Sequence, residues 1–273
     1  MPALSAAPTL ATHYERIAFE RQHKVGRSLV ATMAVSRGQR VLELGCGLGL
    51  LTEHLADQVG HAGDVLGLDP LPLRVQIAHQ HRARRNLRFQ IGDVAQLTRF
   101  PVACFDVIVA NGVLHTWRDA RAALAEAWRL LAPGGRLGLT TLSADHPHPA
   151  AAAQAAVLAE PPFVMHPLPE EAREYPLSPP ALGEALDAVG FAPINIETRR
   201  ELTRYPHAEA AIESMQATTW GHFLGHLPVY LRAPARAEIV QRLASRCGPD
   251  GLVHESVAIT VVAHRAAVTA QAL

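Results

Sequence analysis

Five short apolar runs alternate with helical segments between Arg40 and Leu142, and this alternation constrains the fold more than any other feature of the chain. Strands and helices that alternate at this spacing form βαβ units, in which parallel strands make one sheet and helices cover both of its faces. Two further strand candidates follow towards the C-terminus. We therefore predict an α/β fold with a doubly wound, mainly parallel seven-stranded sheet. The seven runs read RVLEL, DVLGLD, LRFQIG, FDVIVAN, RLGLTTL, FAPINIETRREL and HESVAITVVAHRA.

Charge and cysteine content exclude several classes of function. Lys and Arg together number 25, as do Asp and Glu, so the formal net charge is zero and no basic surface indicates nucleic-acid binding. Three cysteines without a CxxC pair argue against a disulfide framework or a thiolate metal site, and a reducing cytoplasm fits best. The sequence contains no run of about 18 apolar residues and its first residues lack the pattern of a signal peptide, so we predict no membrane span.

A glycine-rich bend, which we term the glycine bend (residues 45–49), follows the first predicted strand and indicates a ligand site. Glu43, Gly45, Gly47 and Gly49 form the pattern E-x-G-x-G-x-G. Glycines allow the backbone to come close to a ligand at the carboxyl end of a parallel strand, where the next helix also presents free N–H groups. The dinucleotide fingerprint G-x-G-x-x-G fails because it requires a glycine where Leu50 stands. A tight turn that holds no ligand is the alternative interpretation.

Five motifs in this order resemble those of the class I, seven-strand S-adenosylmethionine-dependent methyltransferases, in particular the small-molecule type 11 and quinone C-methyltransferase group. The motifs are VLELGCGLG, VLGLDP, LRFQIGDVAQL, FDVIVANGVLHTW and LAPGGRLGLTT. The resemblance implies S-adenosylmethionine as the cofactor, S-adenosylhomocysteine as its product, and a cytoplasmic enzyme of small-molecule metabolism. The segments on the acceptor side differ from those of the quinone enzymes, so the substrate of those enzymes does not carry over.

The resemblance also implies a role for each motif in holding the cofactor. The glycine bend cradles the methionine part, and Asp69 accepts hydrogen bonds from both ribose hydroxyls. Asp93 accepts from the adenine amino group while Val94 packs on the ring, and Asn111 lies beneath the sulfonium. Simpler interpretations stay open, since the two acids can be helix N-caps and Asn111 a turn residue. The implied cofactor-binding residues are Glu43, Gly45, Cys46, Gly47, Gly49, Asp69, Pro70, Gly92, Asp93, Val94, Asn111 and Gly112.

Methyl transfer from a sulfonium is an in-line displacement, so the protein mainly has to orient the acceptor and exclude water. Where the acceptor must lose a proton a base helps, and we predict His115, then Tyr14 and His222, as catalytic residues. The predicted substrate-binding residues are His115, Trp117, His166, Trp220 and Phe223. Core packing is the alternative for the last two. His222 and His226 would bind a metal only if carboxylates joined them, and we predict no metal site.

We expect one structural domain in which cap segments interrupt the cofactor-binding core. The cap segments are apolar and carry histidines without excess positive charge, which favours a small, largely apolar organic acceptor. A nicotinamide-dependent oxidoreductase and a non-catalytic S-adenosylmethionine-binding relative are the alternative functions, and we expect a monomer or a homodimer. The predicted segments are 1–37 (N-terminal helical part of the cap), 38–144 (cofactor-binding core), 145–180 (proline-rich cap insertion), 181–203 (core helix and strand), 204–250 (helical cap insertion) and 251–273 (final strand and tail).

Overall fold

The computed structural model describes residues 22–218 and 222–267 of the chain. Within these residues the chain divides into two compact units. The sheet unit consists of residues 22–142, 175–198 and 259–267, and the helical unit consists of residues 143–174, 199–218 and 222–258. The segments predicted as cap insertions therefore supply most of the helical unit. The prediction of one structural domain stays a prediction.

Seven strands form one sheet: β1 (Arg40–Leu44), β2 (Asp64–Asp69), β3 (Leu87–Ile91), β4 (Phe105–Asn111), β5 (Leu131–Leu142), β6 (Phe191–Tyr205) and β7 (Leu252–Arg265). Their order across the sheet is β3-β2-β1-β4-β5-β7-β6, which confirms the predicted fold class. The pairs β3–β2, β2–β1, β1–β4 and β4–β5 are parallel. The strand order reverses between β1 and β4, and open α/β sheets bind ligands outside the carboxyl ends of strands at such a point.

Helices connect these strands, and short 3-10 helices occupy several of the loops. The 3-10 helices of the described residues span Val94–Arg99, Leu114–Thr116, Phe163–Met165 and Glu170–Ala172. The α-helices are α1 (Gln22–Thr32), α2 (Leu50–Val59), α3 (Pro72–Arg82), α4 (Ala120–Leu130), α5 (Pro149–Leu158), α6 (Pro179–Val189), α7 (Ala208–Thr218), α8 (His222–Gly225) and α9 (Val229–Ala244).

Capping residues set several helix ends. The Asp119 carboxylate accepts a hydrogen bond from the Ala122 N–H at 2.8 Å and so caps the start of α4. Ser178 caps α6, which ends at Gly190, whose φ of 102° is the left-handed conformation that glycine adopts without strain. Helix α4 ends at Leu130, because Leu131 already pairs with Phe105 in the sheet.

The two faces of the sheet pack against different helices. Leu42 and Ile108 belong to a core that includes apolar residues of α4 and α6. Val41 and Val107, one position earlier on the same strands, belong to a second core that includes residues of α1, α2 and α3. Successive side chains of a strand point to opposite faces, so this alternation shows that both faces are covered, as a doubly wound sheet requires.

The helical unit has a hydrophobic core of its own. Phe163, Phe223 and Ile239 lie in it, each 2% exposed or less, together with apolar residues of α5, α7 and α9. Helix α5 forms within the segment predicted to be too rich in proline for one continuous helix, because that segment opens with an alanine-rich stretch that favours helix. No α-helix in the described parts of the chain is both long enough and apolar enough to cross a membrane.

Candidate functional site

The glycine bend connects β1 to α2 and is fixed against the neighbouring strands. Gly45, Gly47 and Gly49 have φ angles of 72°, 55° and 83°, which other residues adopt only with strain. The N–H groups of Gly45 and Cys46 donate to the carbonyl oxygen of Leu68 on β2 at 2.8 and 2.9 Å. A Cβ at position 49 would lie 2.7 Å from the Phe89 ring on β3. The bend therefore requires glycine for its conformation and, at position 49, for space.

Asp69, the last residue of β2, holds the glycine bend from the side. Its Oδ2 accepts from the Gly47 N–H at 3.0 Å and lies 3.4 Å from Nη1 of Arg74, while its Oδ1 accepts from the Leu71 N–H at 3.0 Å. The side chain is 1% exposed. Leu71, not Asp69, occupies the N-cap position of α3, so the helix-cap interpretation of Asp69 is wrong. Protein donors already contact both oxygens, and no sequence motif indicated Arg74 among them.

Glu43, on β1, is a buried acid with unused hydrogen-bonding capacity. It is 2% exposed, and its Oε2 accepts no hydrogen bond from the described residues. Burial, and to a smaller extent the nearby charge of Asp69, raise its pKa to about 8. Buried polar atoms without a partner are rare in native proteins and need an explanation. A cationic group bound at the glycine bend would give this carboxyl a partner, which fits the ammonium and sulfonium charges of S-adenosylmethionine.

Cys46, within the glycine bend, is 6% exposed, and burial raises the pKa of its thiol. Such a thiol stays protonated and unreactive at neutral pH, so the structure supports its interpretation as a small buried residue. The described residues contain no group of three or more His, Cys, Asp or Glu side chains arranged to hold a metal ion.

Asp93 and Val94 follow β3 at the same edge of the sheet. Asp93 caps the 3-10 helix Val94–Arg99, its Oδ1 accepting from the Ala95 N–H at 2.9 Å, so the capping interpretation describes its local contacts. Val94 packs partly buried against the core on the α4 side. The Gly92 N–H donates to the Asp69 carbonyl oxygen at 3.1 Å, which ties the end of β3 to the end of β2. The implied contact of Asp93 with adenine stays a prediction.

Asn111 ends β4 in a hydrogen-bond network that the sequence did not indicate. Its Nδ2 donates to the Gln22 carbonyl oxygen of α1 at 3.0 Å, and its Oδ1 accepts from the Thr140 hydroxyl of β5 at 2.7 Å. Gly112 follows with a φ of 69° and donates its N–H to Thr140. The polar pair Thr140–Thr141, directly after the uncharged run Leu137–Leu139, was the signal that could have marked this network.

The predicted acceptor-side residues of the sheet unit lie just after this network. His115 belongs to the 3-10 helix Leu114–Thr116, is half-buried, and its carbonyl oxygen accepts from the Tyr175 N–H at 2.6 Å. Trp117 is 5% exposed and lines, with Tyr175 and Leu177, a pocket of about 390 Å³.

The other predicted acceptor-side residues belong to different parts of the chain. His166 and Phe223 lie in the helical unit, where Phe223 is buried in the core. His222 begins α8. Tyr14 and Trp220 lie outside the described residues. The structure therefore brings together the predicted cofactor residues at the carboxyl ends of β1 to β4, while the predicted acceptor residues that it describes are divided between the two units.

Comparison with known proteins places the chain in a family. A methyltransferase-domain model matches residues 42–139. Over nearly its whole length the chain is also similar to nocamycin O-methyltransferase of Saccharothrix syringae, with 31% identity over 257 residues, 86% of this chain and 89% of that protein. The chain belongs to the S-adenosylmethionine-dependent methyltransferases. This membership confirms the predicted enzyme class and cofactor, and these relatives give no support to the nicotinamide alternative.

Two further similar proteins show which properties do not follow from membership of the family. The methyltransferase is 39% identical to an arsenite methyltransferase of Aquipseudomonas alcaligenes over 129 residues, which are 44% of this chain and only 37% of that relative. Its fold is that of the solved YcgJ protein of Bacillus subtilis, with a TM-score of 0.63, 20% identity, and coverage of 89% of this chain and 99% of that one. Neither similarity therefore identifies the acceptor of this methyltransferase.

Proposed function

We propose that this methyltransferase transfers the methyl group of S-adenosylmethionine to a small, largely apolar organic acceptor by in-line displacement. The observation that carries the proposal is the buried, unpartnered carboxyl oxygen of Glu43 beside a glycine bend at the carboxyl edge of the sheet. The long match to an O-methyltransferase supports the same reaction class.

Each part of the edge has a role in this proposal. Glu43 and the glycine bend hold the amino-acid part of the cofactor, Asp69 the ribose, and Asp93 with Val94 the adenine. Because Arg74 and two backbone N–H groups already contact Asp69, the ribose hydroxyls would share this carboxylate with Arg74 or displace it. When bound, S-adenosylmethionine supplies a methyl group already activated by its sulfonium. The remaining task of the protein is to orient the acceptor and exclude water.

Acceptors with a hydroxyl, amine or acidic carbon need a base, and His115 is the first candidate. The hydrogen bond from the Tyr175 N–H to its carbonyl oxygen fixes the backbone at this position, while its ring is half-buried. Trp117 follows two residues later and supplies apolar surface. Tyr14 and His222 remain second candidates for the base, and His166 and Trp220 for acceptor contacts. The complete burial of Phe223 in the helical core favours packing over an acceptor contact.

The finer properties of the enzyme belong to the same proposal. An acceptor from small-molecule metabolism agrees with the name of the relative that matches most of this chain, a nocamycin O-methyltransferase. The zero net charge favours a small molecule over nucleic acid as the acceptor. A cytoplasmic monomer or homodimer fits the composition, in which three cysteines form no disulfide pattern.

The test is an acceptor screen with a direct chemical readout. Purified protein is incubated with S-adenosylmethionine and panels of phenols, enols, quinols and carboxylic acids, and both S-adenosylhomocysteine and the methylated product are measured by mass spectrometry. We expect stoichiometric formation of both with at least one apolar acceptor. Asp69→Ala is the control and should bind the cofactor about 1–3 kcal/mol more weakly, because polar groups lose their partner. Tight cofactor binding without any product would favour a non-catalytic relative.

A further inference from the structure

We propose that Thr140 is a positioning residue of the cofactor site, acting through Asn111 and Gly112 at the end of β4. The inference rests on the proposed function and adds to it a residue that neither the sequence motifs nor the comparisons assign. Thr140 is 5% exposed and lies directly opposite Asn111 in the parallel β4–β5 pair.

The Thr140 hydroxyl makes two hydrogen bonds of opposite direction. It donates to Asn111 Oδ1 at 2.7 Å and accepts from the Gly112 N–H at 3.1 Å. The same N–H also approaches the Thr140 carbonyl oxygen at 2.9 Å. One buried hydroxyl thus fixes both the last side chain of the strand and the first backbone amide of the loop after it.

The direction of these bonds is set by the third member of the network. The Gln22 carbonyl oxygen can only accept, so the Asn111 amide must turn its Nδ2 towards Gln22 and its Oδ1 towards Thr140. The hydroxyl must then donate to Oδ1, which leaves its own oxygen free to accept from Gly112. Every bond in the network is consistent with this single arrangement, so the amide has one stable orientation.

The network also ties α1 to the site. A Cβ at Gly26 would lie 2.8 Å from Asn111 Nδ2 and 2.6 Å from a methyl group of Leu51 on α2. Helix α1 therefore lies directly against the Asn111 amide and the helix that follows the glycine bend. If the Thr140 hydroxyl is lost, Asn111 Oδ1 becomes an unpaired polar atom, and its amide loses the contact that orients it.

Neighbouring Thr141 provides a matched control. It is also 5% exposed and lies on the same strand, but the only hydrogen bond recorded for its hydroxyl among the described residues is a 3.5 Å contact to the Leu142 carbonyl oxygen. Valine has the shape of threonine without the hydroxyl, and serine keeps the hydroxyl without the methyl group. Thr140→Val, Thr140→Ser and Thr141→Val therefore separate the hydrogen bonds from the packing.

The experiment is a calorimetric titration of the wild type and the three variants with S-adenosylhomocysteine, together with their thermal unfolding. We expect Thr140→Val to weaken binding about tenfold, the order expected for one buried hydrogen bond. Thr140→Ser and Thr141→Val should stay within about twofold of the wild type. A loss of affinity in Thr140→Val that Thr140→Ser restores and Thr141→Val does not share would support a positioning role.

Hydrogen exchange gives a second readout that does not depend on a ligand. We expect Thr140→Val to speed amide exchange at Gly112 and in the first turn of α1, and Thr141→Val to leave both unchanged. The inference would be overturned if Thr140→Val matched Thr141→Val in both affinity and amide exchange. It would also be overturned if Thr140→Ser failed to restore them. A wild type that binds no S-adenosylhomocysteine would overturn the proposed function itself, whatever the exchange shows.

Discussion

The carboxyl ends of β1 and β2 each bury an acid, and the two acids are held in opposite ways. Asp69 accepts from two backbone N–H groups and lies beside the Arg74 guanidinium, whereas Glu43 Oε2 has no partner among the described residues. Both side chains are almost fully buried. Burial raises the pKa of Glu43 to about 8, although the nearby Thr52 hydroxyl favours its charged form. The hydrogen-bond donors around a buried acid, and not its degree of burial, therefore decide whether the acid stabilises the fold or is left free to bind a ligand.

The largest effect should follow the removal of the satisfied acid. Asp69→Ala leaves the Gly47 and Leu71 N–H groups without their acceptor and removes the carboxylate beside the Arg74 guanidinium. We expect the free energy of unfolding in urea to fall by about 3 kcal/mol, as for other buried ion pairs that lose one partner.

Asp64, at the other end of β2, is the matched control. Its exposed carboxylate pairs with Arg88 at the surface, so Asp64→Ala should cost less than about 1 kcal/mol. Equal losses in the two variants would show that Asp69 does not hold the bend.

A smaller effect on stability distinguishes the left-handed backbone conformation of the glycine bend from its close packing against β3. Gly38 and Gly49 share a φ of 83°, but a Cβ meets nothing within 4 Å at Gly38 and the Phe89 ring at Gly49. In both alanine variants the left-handed backbone should lower the free energy of unfolding by about 1–2 kcal/mol. Gly49→Ala should lose about 1–3 kcal/mol more because it overpacks the space against β3. Equal midpoints in urea unfolding would contradict the close approach of the bend to Phe89.

The smallest effect concerns the unsatisfied acid and depends on pH. Because the folded-state pKa of Glu43 lies above its ordinary value of 4.5, the folded protein binds one more proton than the unfolded chain between pH 4.5 and about 8. Stability contributed by this group therefore falls as the pH rises through that window. From pH 6 to 7 the wild type should lose about 1.4 kcal/mol relative to Glu43→Gln, which cannot ionise. Parallel pH profiles of the two proteins would contradict the raised pKa of Glu43.

Some features of the site could be predicted from the sequence, and others could not. The alternating apolar runs were sufficient to predict the sheet, because every run between Arg40 and Leu142 forms a strand of the parallel part. The glycine bend was equally predictable, since its conformation requires glycine. Arg74 and Thr140 were not, because their roles depend on which side chains the sheet brings together across strands and turns. Arg74 lies outside every motif, and Thr140 lies within LAPGGRLGLTT, a motif that the resemblance does not tie to a contact with the cofactor.

The helical unit was harder to anticipate. Its core residues come from four α-helices (α5, α7, α8 and α9) and from segments between and after them without a common motif, and the sequence presents them as scattered apolar and histidine positions. Phe223 shows the difficulty, because an aromatic residue at helical spacing predicts a core position and an acceptor contact equally well. Its burial depends on how the helices of the unit pack together, and no local sequence pattern specifies that packing.

Calorimetric titration shows whether the edge formed by Glu43, the glycine bend and Asp69 binds S-adenosylmethionine. Purified protein is titrated separately with S-adenosylmethionine, S-adenosylhomocysteine and NAD at pH 7. We predict saturable one-to-one binding of the first two ligands and no heat of binding with NAD. Binding of NAD without either sulfur compound would contradict the account, because the glycine bend would then serve a dinucleotide despite Leu50.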